Sequence, residues 1–285
     1  MRPYAEVIGD PIAHSKSPLI HGFWLDALGI DADYRRTRVT AETLAAYLEE
    51  RRIDPEWRGC NVTAPLKQAI LPLLDDLPDW VGRLGAVNCV LPRDGKLAGH
   101  NSDVDGIAAA IGSGSMSGRT AVVIGAGGAA RAIVHHLVER DTARIRILAR
   151  DPARIEPIRA ASGASARIEA GPLAEPEAAI AGADLIVNAS PLGMDHAAAM
   201  PQTLLDALSK AAPGAIVFDM VYDPLDTPLL DAARRHGLPA VDGLTMLVGQ
   251  ADAAFRLFFG RRPPREGDEM LRRQLTACDA ANSFR

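Results

Sequence analysis

Residues 120–130 read TAVVIGAGGAA, and this stretch decides the fold class of the chain. Its first half, Thr120–Ile124, is a continuous apolar run, which is typical of a buried parallel strand. Its second half matches the pattern G-x-G-x-x-A and opens a predicted helix, Gly127–Arg140. The first glycine of the pattern makes a tight turn, the second lets backbone approach a pyrophosphate, and the alanine allows close helix–strand packing. The stretch therefore predicts a Rossmann-type domain that binds a dinucleotide, with a purely structural glycine turn as the alternative.

The residues after the next predicted strand, Arg144–Ala149, bear on the choice of cofactor. NAD enzymes place Asp or Glu there to hold the ribose 2′-hydroxyl. An arginine can instead bind the 2′-phosphate of NADP in bidentate fashion. Arg150 and Arg154 therefore favour NADP, whereas Asp151 could accept a bond from a free 2′-hydroxyl or repel a phosphate, so NAD remains possible. Alternatively, Asp151 caps the following helix ahead of Pro152.

Strand and helix signals alternate along all 285 residues, a length beyond the usual size of one domain. We predict an α/β fold with two domains, an N-terminal mostly parallel α/β substrate domain and a Rossmann-type dinucleotide-binding domain. The predicted limits are residues 1–102 for the first, residues 103–242 for the second, and residues 243–285 for C-terminal helices that return to the substrate domain. A Gly/Ser-rich stretch, Gly112–Gly118, is expected to be a linker or loop.

Composition excludes several classes of function. The net charge of −5 argues against a nucleic-acid binder, and no apolar run reaches the length of a membrane span. The three cysteines are widely spaced, and no motif has metal-ligand spacing, so we predict no metal. The first residues do not resemble a signal peptide, which favours a cytoplasmic protein. We expect a small-molecule substrate, no nucleic acid, no membrane, and a monomer or homodimer.

Four polar residues in the first half of the chain are candidates for chemistry. Ser15 and Ser17 lie in a predicted loop and could both face an acidic group, although Ser17 could simply cap a helix before Pro18. Lys67 lies in the first turn of a predicted helix, Pro65–Leu74, where a cation meets the unfavourable end of the helix dipole. Such a placement suits a role in proton transfer, with a solvated lysine at a helix end as the alternative. Asp103 could orient that lysine or cap the next helix.

Short motifs follow one another in a fixed order from Gly9 to about Gln250. They are Gly9–Pro18 (GDPIAHSKSP), Asn61–Lys67 (NVTAPLK), Gly85–Asn88 (GAVN), Asn101–Asp103 (NSD), Gly125–Ala132 (GAGGAARA), Asn188–Met194 (NASPLGM), Asp219–Tyr222 (DMVY) and Gly243–Gln250 (GLTMLVGQ). In this order they resemble the shikimate dehydrogenase family. One departure is that NADP-preferring members often carry Asn-Arg-Thr where this chain has Ala149-Arg150-Asp151.

The resemblance implies a role for each matching residue. The catalytic pair would be Lys67 and Asp103. Substrate contacts would come from Ser15 and Ser17 at the carboxylate with Tyr222 near it, and from Thr63, Asn88 and Gln250 at the hydroxyls. Cofactor contacts would come from Gly125, Ala126, Gly127, Gly128, Ala129, Arg150, Arg154, Met220, Gly243 and Met246.

The activity implied by the resemblance is the reversible NADPH-dependent reduction of 3-dehydroshikimate to shikimate, in aromatic amino-acid biosynthesis. A quinate/shikimate dehydrogenase that uses NAD is one alternative, although related quinate enzymes often have Thr where this chain has Ser17. A non-catalytic dinucleotide-binding sensor is a second alternative. A folate-type dehydrogenase of the same architecture is a third, and the two serines argue against it.

Overall fold

The strands of the chain form two separate sheets. The computed structural model describes residues 2–195 and 197–282. The chain folds into two compact units, the first made of residues up to Ser102 together with those from Gln250 onward, the second of Asp103–Gly249. The predicted α/β fold with a Rossmann-type dinucleotide-binding domain is confirmed.

The first unit contains a five-stranded sheet in the order β2-β1-β3-β4-β5. The pairs of β1 with β2 and of β1 with β3 are parallel, and β3-β4 and β4-β5 are antiparallel. The elements are β1 (Tyr4–Gly9), α1 (Ser17–Leu28), β2 (Asp33–Arg38), α2 (Leu44–Arg52), β3 (Trp57–Val62), α3 (Leu66–Ala69), α4 (Asp79–Leu84), β4 (Cys89–Arg93) and β5 (Lys96–His100).

The predicted helix Pro65–Leu74 is wrong in its length. Helix α3 ends at Ala69, and a separate 3₁₀ turn covers Leu71–Leu73. Pro72 lies within that turn and has no backbone N–H, so it cannot continue an α-helical ladder. Lys67 is consequently the second residue of a single short turn of helix.

The second unit contains a six-stranded, fully parallel sheet in the order β11-β10-β9-β6-β7-β8. The sequence pattern missed β8 and β11, since both are short edge strands with few buried residues. The elements are α5 (Asp103–Ile111), β6 (Thr120–Ile124), α6 (Gly128–Glu139), β7 (Arg144–Ala149), α7 (Glu156–Ala161), β8 (Ile168–Pro172), α8 (Glu177–Ile180), β9 (Leu185–Asn188), α9 (Gln202–Ala207), β10 (Ile216–Asp219), α10 (Pro228–Arg235) and β11 (Ala240–Val241).

The strand order of the second unit defines where a ligand binds. Strands β6 and β9 are neighbours, and the chain proceeds from them towards opposite edges of the sheet. In open α/β sheets the crevice beyond the carboxyl ends of such strands is the ligand site. Gly125 follows β6 directly, so the glycine-rich turn lies at this reversal point.

The Gly/Ser-rich stretch 112–118 is a loop inside the second unit, between α5 and β6. Its backbone carbonyls accept bonds from α6 and the residue that follows it. His136 Nε2 lies 3.2 Å from the Gly112 carbonyl, and Arg140 Nε donates to the Gly114 carbonyl. Burial lowers the pKa of His136 to about 4, and the nearby Arg140 guanidinium contributes to the lowering, so this imidazole is neutral near pH 7.

The C-terminal helices begin differently from the prediction. Helix α11 (Gly243–Phe259) is continuous, but its first seven residues belong to the second unit, and only residues from Gln250 group with the first. The reason is close packing at Gly249, where an added Cβ would lie 2.7 Å from the Cβ of Ala109 on α5. The last helix, α12 (Asp268–Asn282), belongs to the first unit and contacts α1.

Each unit has its own apolar core. Trp57, Leu48 and Ile70 are fully buried in the first, and Val217, Ile186 and Leu229 in the second. Among the described residues, no helix is long and apolar enough to cross a membrane.

Candidate active site

The loop that carries Ser15 and Ser17 is held from two sides within the first unit. Arg36 on β2 donates two bonds to the Ser15 carbonyl, 2.9 Å from Nε and 2.6 Å from Nη2. The buried Lys16 ammonium donates to the carbonyl of Leu275 on α12, at 3.3 Å. Ser15 Oγ accepts a bond from the Ser17 backbone N–H at 3.3 Å, so the structure brings the two serines together.

Ser17 does not cap helix α1. It is the first helical residue, while Lys16 occupies the cap position without a side-chain capping bond. The capping alternative is therefore wrong, and the Ser17 hydroxyl lies in a buried position at the start of the helix.

Thr63 and Lys67 lie in the segment that follows β3. The Thr63 N–H donates to the Ile8 carbonyl on β1, at 2.9 Å. The Lys67 carbonyl accepts from the Val87 N–H at 2.8 Å, one residue before Asn88. Both side chains are half-buried. The backbone on which they sit is thus fixed to the sheet and to the segment that leads through Asn88 into β4.

A buried cluster of two amides and a hydroxyl joins three distant parts of the first unit. Ser102 is its centre: its N–H donates to Asn88 Oδ1 at 2.7 Å, and its Oγ accepts from Asn88 Nδ2 at 3.1 Å. Ser102 Oγ also lies 3.5 Å from Gln250 Oε1. Ser102 is fully buried, and Asn88 and Gln250 are nearly so. The structure thereby brings together Asn88 and Gln250, which are 162 positions apart in the sequence.

Asp103 and Tyr222 belong to the second unit. Asp103 is the first residue of α5 and is buried, and Tyr222 is half-buried shortly after β10. Lys67 belongs to the first unit, so its pairing with Asp103 stays a prediction.

The glycine-rich turn of the second unit has the features that a dinucleotide requires. Gly125 has φ +112°, a conformation that favours glycine, and an added Cβ would lie 3.0 Å from the Ala189 carbonyl oxygen. Gly127 is the N-cap of α6, and nothing lies within 4 Å of where its Cβ would be. The space beside the start of α6 at Gly127 is therefore open, as close approach of a pyrophosphate to the backbone requires. Ala126, Gly128 and Ala129, the other predicted contacts of the turn, are half-buried.

The predicted site for the 2′-phosphate is an exposed arginine pair. Arg150 and Arg154 are exposed, and neither has an ion-pair partner among the described residues. Asp151 Oδ1 accepts a bond from the Ala153 N–H at 3.0 Å, at the start of the 3₁₀ turn Pro152–Ile155. The interpretation of Asp151 as a cap is confirmed. The residues present therefore fit NADP.

The remaining predicted cofactor residues lie where β10 and α11 approach each other. An added Cβ on Gly243 would lie 2.5 Å from the carbonyl oxygens of both Met220 and Val221, so only glycine allows this approach. Met246 is buried on the first turn of α11, and Met220 is half-buried. The structure brings Met220 and Gly243 together. No group of three or more His, Cys, Asp or Glu within the described part of the chain could hold a metal ion.

The site residues predicted from the sequence did not include Ser102, Arg36 or Asp219. Ser102 and Asp219 lie inside motifs that were recognised, next to assigned residues, so their positions were a usable signal. Arg36 acts on a backbone carbonyl 21 positions away, and no sequence pattern marks such a partner.

Three family models match the chain. They are the shikimate dehydrogenase substrate binding domain at residues 7–90, shikimate / quinate 5-dehydrogenase at residues 107–219, and the shikimate 5′-dehydrogenase C-terminal domain at residues 243–270. Together they cover both units.

Individual relatives agree with the family models. A shikimate dehydrogenase (NADP(+)) of Sphingopyxis alaskensis is 49% identical over 276 residues, which is 96% of this chain and 97% of that protein. The Thermus thermophilus shikimate 5-dehydrogenase, solved with NADP(H) and shikimate, is 35% identical with a TM-score of 0.81, covering 96% of this chain and 99% of the other. A Corynebacterium glutamicum quinate dehydrogenase, solved with NAD, is 30% identical with a TM-score of 0.78, covering 94% and 98%. The chain belongs to the shikimate dehydrogenase family.

Proposed function

We propose that this chain is an NADP-dependent shikimate dehydrogenase, which catalyses the reversible reduction of 3-dehydroshikimate to shikimate. The identity of 49% with a shikimate dehydrogenase (NADP(+)) over 96% of the chain supports the activity. From the structure itself, the proposal is carried by the buried cluster of Asn88, Ser102 and Gln250. Amide and hydroxyl groups fixed in this way are suited to hydrogen-bond the hydroxyls of a polar ring, and a site built for hydroxyls discriminates strongly against analogues without them.

We propose that the serine loop binds the carboxylate of the substrate. Each serine hydroxyl can donate one bond to a carboxylate oxygen. Because Arg36 and Lys16 hold the loop, its backbone is fixed before the substrate arrives, which lowers the entropic cost of binding. Tyr222 is proposed near the same carboxylate, and Thr63, Asn88 and Gln250 are proposed at the ring hydroxyls.

Lys67 and Asp103 are the proposed catalytic pair. When bound, NADPH supplies the hydride that reduces the ketone carbon. The Lys67 ammonium donates a proton to the ketone oxygen, where negative charge develops, and in the reverse direction the neutral amine accepts the proton of the alcohol. The Asp103 carboxylate would orient the ammonium group towards the ketone oxygen.

In the second unit, the glycine-rich turn and the first turn of α6 are proposed to receive the pyrophosphate of NADP. Arg150 and Arg154 are proposed to bind the 2′-phosphate, since both are exposed and Asp151 is engaged as a cap. NAD is the competing cofactor, and quinate is the competing substrate because a quinate dehydrogenase solved with NAD is among the similar structures.

Initial rates for shikimate and quinate, each with NADP and with NAD, test the proposal. Formation of the reduced nicotinamide is followed by its absorbance. The expected result is the highest kcat/KM for shikimate with NADP. A higher kcat/KM for quinate with NAD would replace the proposal, and the absence of turnover with all four pairs would favour a dinucleotide sensor.

Two further expectations accompany the activity. We propose a cytoplasmic location, which the buried free thiols of Cys60 and Cys89 support, since thiols are kept reduced there. We also propose a monomer or a homodimer, which the molar mass in solution, measured by light scattering, would decide.

A further inference from the structure

Asp219 is a fully buried carboxylate at the carboxyl end of β10. Its Oδ1 accepts bonds from Asn188 Nδ2 at 2.9 Å and from the Val221 N–H at 3.0 Å, and its Oδ2 accepts from Thr227 Oγ1 at 2.7 Å. All three donors are neutral, and within the described residues the carboxylate has no ion-pair partner. Burying a charge without a counter-charge costs free energy, and the three hydrogen bonds offset this cost only in part, since the pKa of Asp219 is raised.

The position of Asp219 in the sheet indicates which half of a bound dinucleotide would lie on its side. Asp219 pairs with Asn188 on β9, and Asn188 pairs with Ile124 on β6, just before Gly125. With strands about 4.8 Å apart, Asp219 lies about 10 Å across the sheet from the end of β6. Rossmann sheets consist of two mononucleotide-binding halves that meet at the reversal of strand order.

The two halves of this sheet can be assigned. Arg150 follows β7, on the side of β6 that receives the adenosine end with its ribose 2′ group. Strands β9 and β10 lie on the other side of β6. The nicotinamide end of the dinucleotide is therefore assigned to that side. Asp219 is therefore a negative charge placed at the carboxyl edge of the nicotinamide half.

The nicotinamide ring is cationic in NADP⁺ and neutral in NADPH. We propose that Asp219 tunes the redox-state preference of the cofactor site, its buried charge favouring NADP⁺ over NADPH. This inference rests on the proposed function, because it requires that the second unit bind NADP. The same charge stabilises the positive charge that develops on the ring during hydride donation, so it assists the reduction of the ketone as well.

The charge is present under ordinary assay conditions. Burial raises the pKa of Asp219 to about 6, against the lowering effect of its three hydrogen-bond donors. At about pH 8 the carboxylate is therefore ionised. Its field acts through the protein interior, where it is screened less than a surface charge would be.

The test is the ratio of two dissociation constants in the full-length protein with Asp219→Asn. NADPH binding is followed by the fluorescence of the dinucleotide, and NADP⁺ binding by calorimetry, both at about pH 8. Asparagine has nearly the same shape as aspartate, so the variant removes the charge with little change in packing. We expect the ratio Kd(NADP⁺)/Kd(NADPH) to rise on the order of 5-fold, as for the loss of one buried charge from the carboxyl edge of the sheet. Partial unfolding would weaken both ligands equally and leave this ratio unchanged.

Asp184→Asn is the matched control. Asp184 immediately precedes β9, at the amino end of the same sheet, where its Oδ2 accepts a bond from the Thr120 N–H at 2.8 Å. This variant makes the same change in net charge at the opposite edge, and we expect its ratio to equal that of the wild type.

Each outcome decides the inference. An unchanged ratio in Asp219→Asn overturns it, as does an equal rise in Asp184→Asn, which would reflect net charge and not the position of Asp219. If the wild type turns over shikimate with NADP while the ratio stays unchanged, the proposed function stands and only this inference fails. A wild type that binds neither dinucleotide overturns both.

Discussion

The Arg36 side chain binds the backbone of Ser15: two guanidinium nitrogens donate to the Ser15 carbonyl at 2.9 and 2.6 Å. The side chain of the serine is thereby left for other partners, while its loop is fixed to β2. Charge-assisted bonds of this kind are stronger than neutral ones. The relationship explains how the loop that carries Ser15 acquires a defined shape.

Replacing Arg36 should weaken substrate binding selectively. Arg36→Ala removes both bonds to the loop, so we expect KM for shikimate to rise about 3- to 10-fold, a modest effect because the guanidinium is exposed. The KM for NADP should change little. Arg35→Ala is the control, since that neighbouring side chain pairs with Asp33 at 2.8 Å. An equal rise of KM in both variants would contradict a specific role for Arg36.

Loss of Lys67 should remove catalysis more than binding. In Lys67→Ala we expect kcat to fall on the order of 10²- to 10⁴-fold, as for loss of a general acid–base group, with a smaller change in KM. Steady-state rates in both directions are the measurement. Lys96→Ala, at an exposed lysine of β5, should keep full activity. A fully active Lys67→Ala enzyme would remove the assignment of this lysine.

The Asp151 carboxylate should limit the affinity for NADP without abolishing it. Asp151→Ser keeps an oxygen that can cap the turn through the Ala153 N–H and removes the negative charge beside Arg150. We expect KM for NADP to fall about 2- to 5-fold and KM for NAD to change less. Initial rates at varied cofactor concentration measure both constants, and an unchanged KM for NADP would show that this carboxylate does not oppose the phosphate.

Arg150→Ala provides the opposite change at the same edge of the sheet. Here KM for NADP should rise about 10-fold or more, from the loss of an arginine–phosphate contact, while KM for NAD stays within about 2-fold. If both cofactors were affected equally, Arg150 would not be the residue that binds the 2′-phosphate.

Stability should fall in mild acid because of His21. The ring is fully buried, stacked on Tyr34 with centroids 3.9 Å apart, and neither ring nitrogen has a hydrogen-bond partner among the described residues. Burial lowers its pKa from 6.5 to about 3. The unfolded chain therefore binds a proton that the folded chain does not between these two values. The contribution of His21 to the free energy of unfolding is complete above pH 6.5. As the pH falls below that value, the contribution is lost at about 1.4 kcal/mol per pH unit.

His21→Phe should abolish this contribution while it keeps an aromatic ring in the cluster. Urea unfolding at several values of pH between about 4.5 and 7 measures the difference between the variant and the wild type, which cancels the contributions of His136 and Asp219. We expect the free energy of unfolding of the variant, relative to that of the wild type, to rise as the pH falls. His236→Phe, at an exposed histidine, is the control: the difference in free energy of unfolding between it and the wild type should stay constant over this pH range. Parallel curves for His21→Phe would show that this ring is not the source of acid sensitivity.

Much of the fold and part of the site were predictable from local patterns. The run Thr120–Ile124 and the glycines after it determine a strand, a tight turn and a helix through residues close in sequence, so the Rossmann-type unit was predictable. Edge strands β8 and β11 were not, because their few buried residues leave no periodic signal. The end of α3 at Ala69 was missed although Pro72 was visible.

The sequence by itself determined the types of chemistry available to this protein, since serines, a lysine, an acid and a glycine-rich turn occur in an order that one family shares. The tertiary structure alone decided which of these groups meet. Ser102 joins Asn88 to Gln250, Arg36 reaches the Ser15 carbonyl, and helix α11 changes units after Gly249. Such contacts depend on packing between segments far apart in the chain, and no local pattern of residues encodes them.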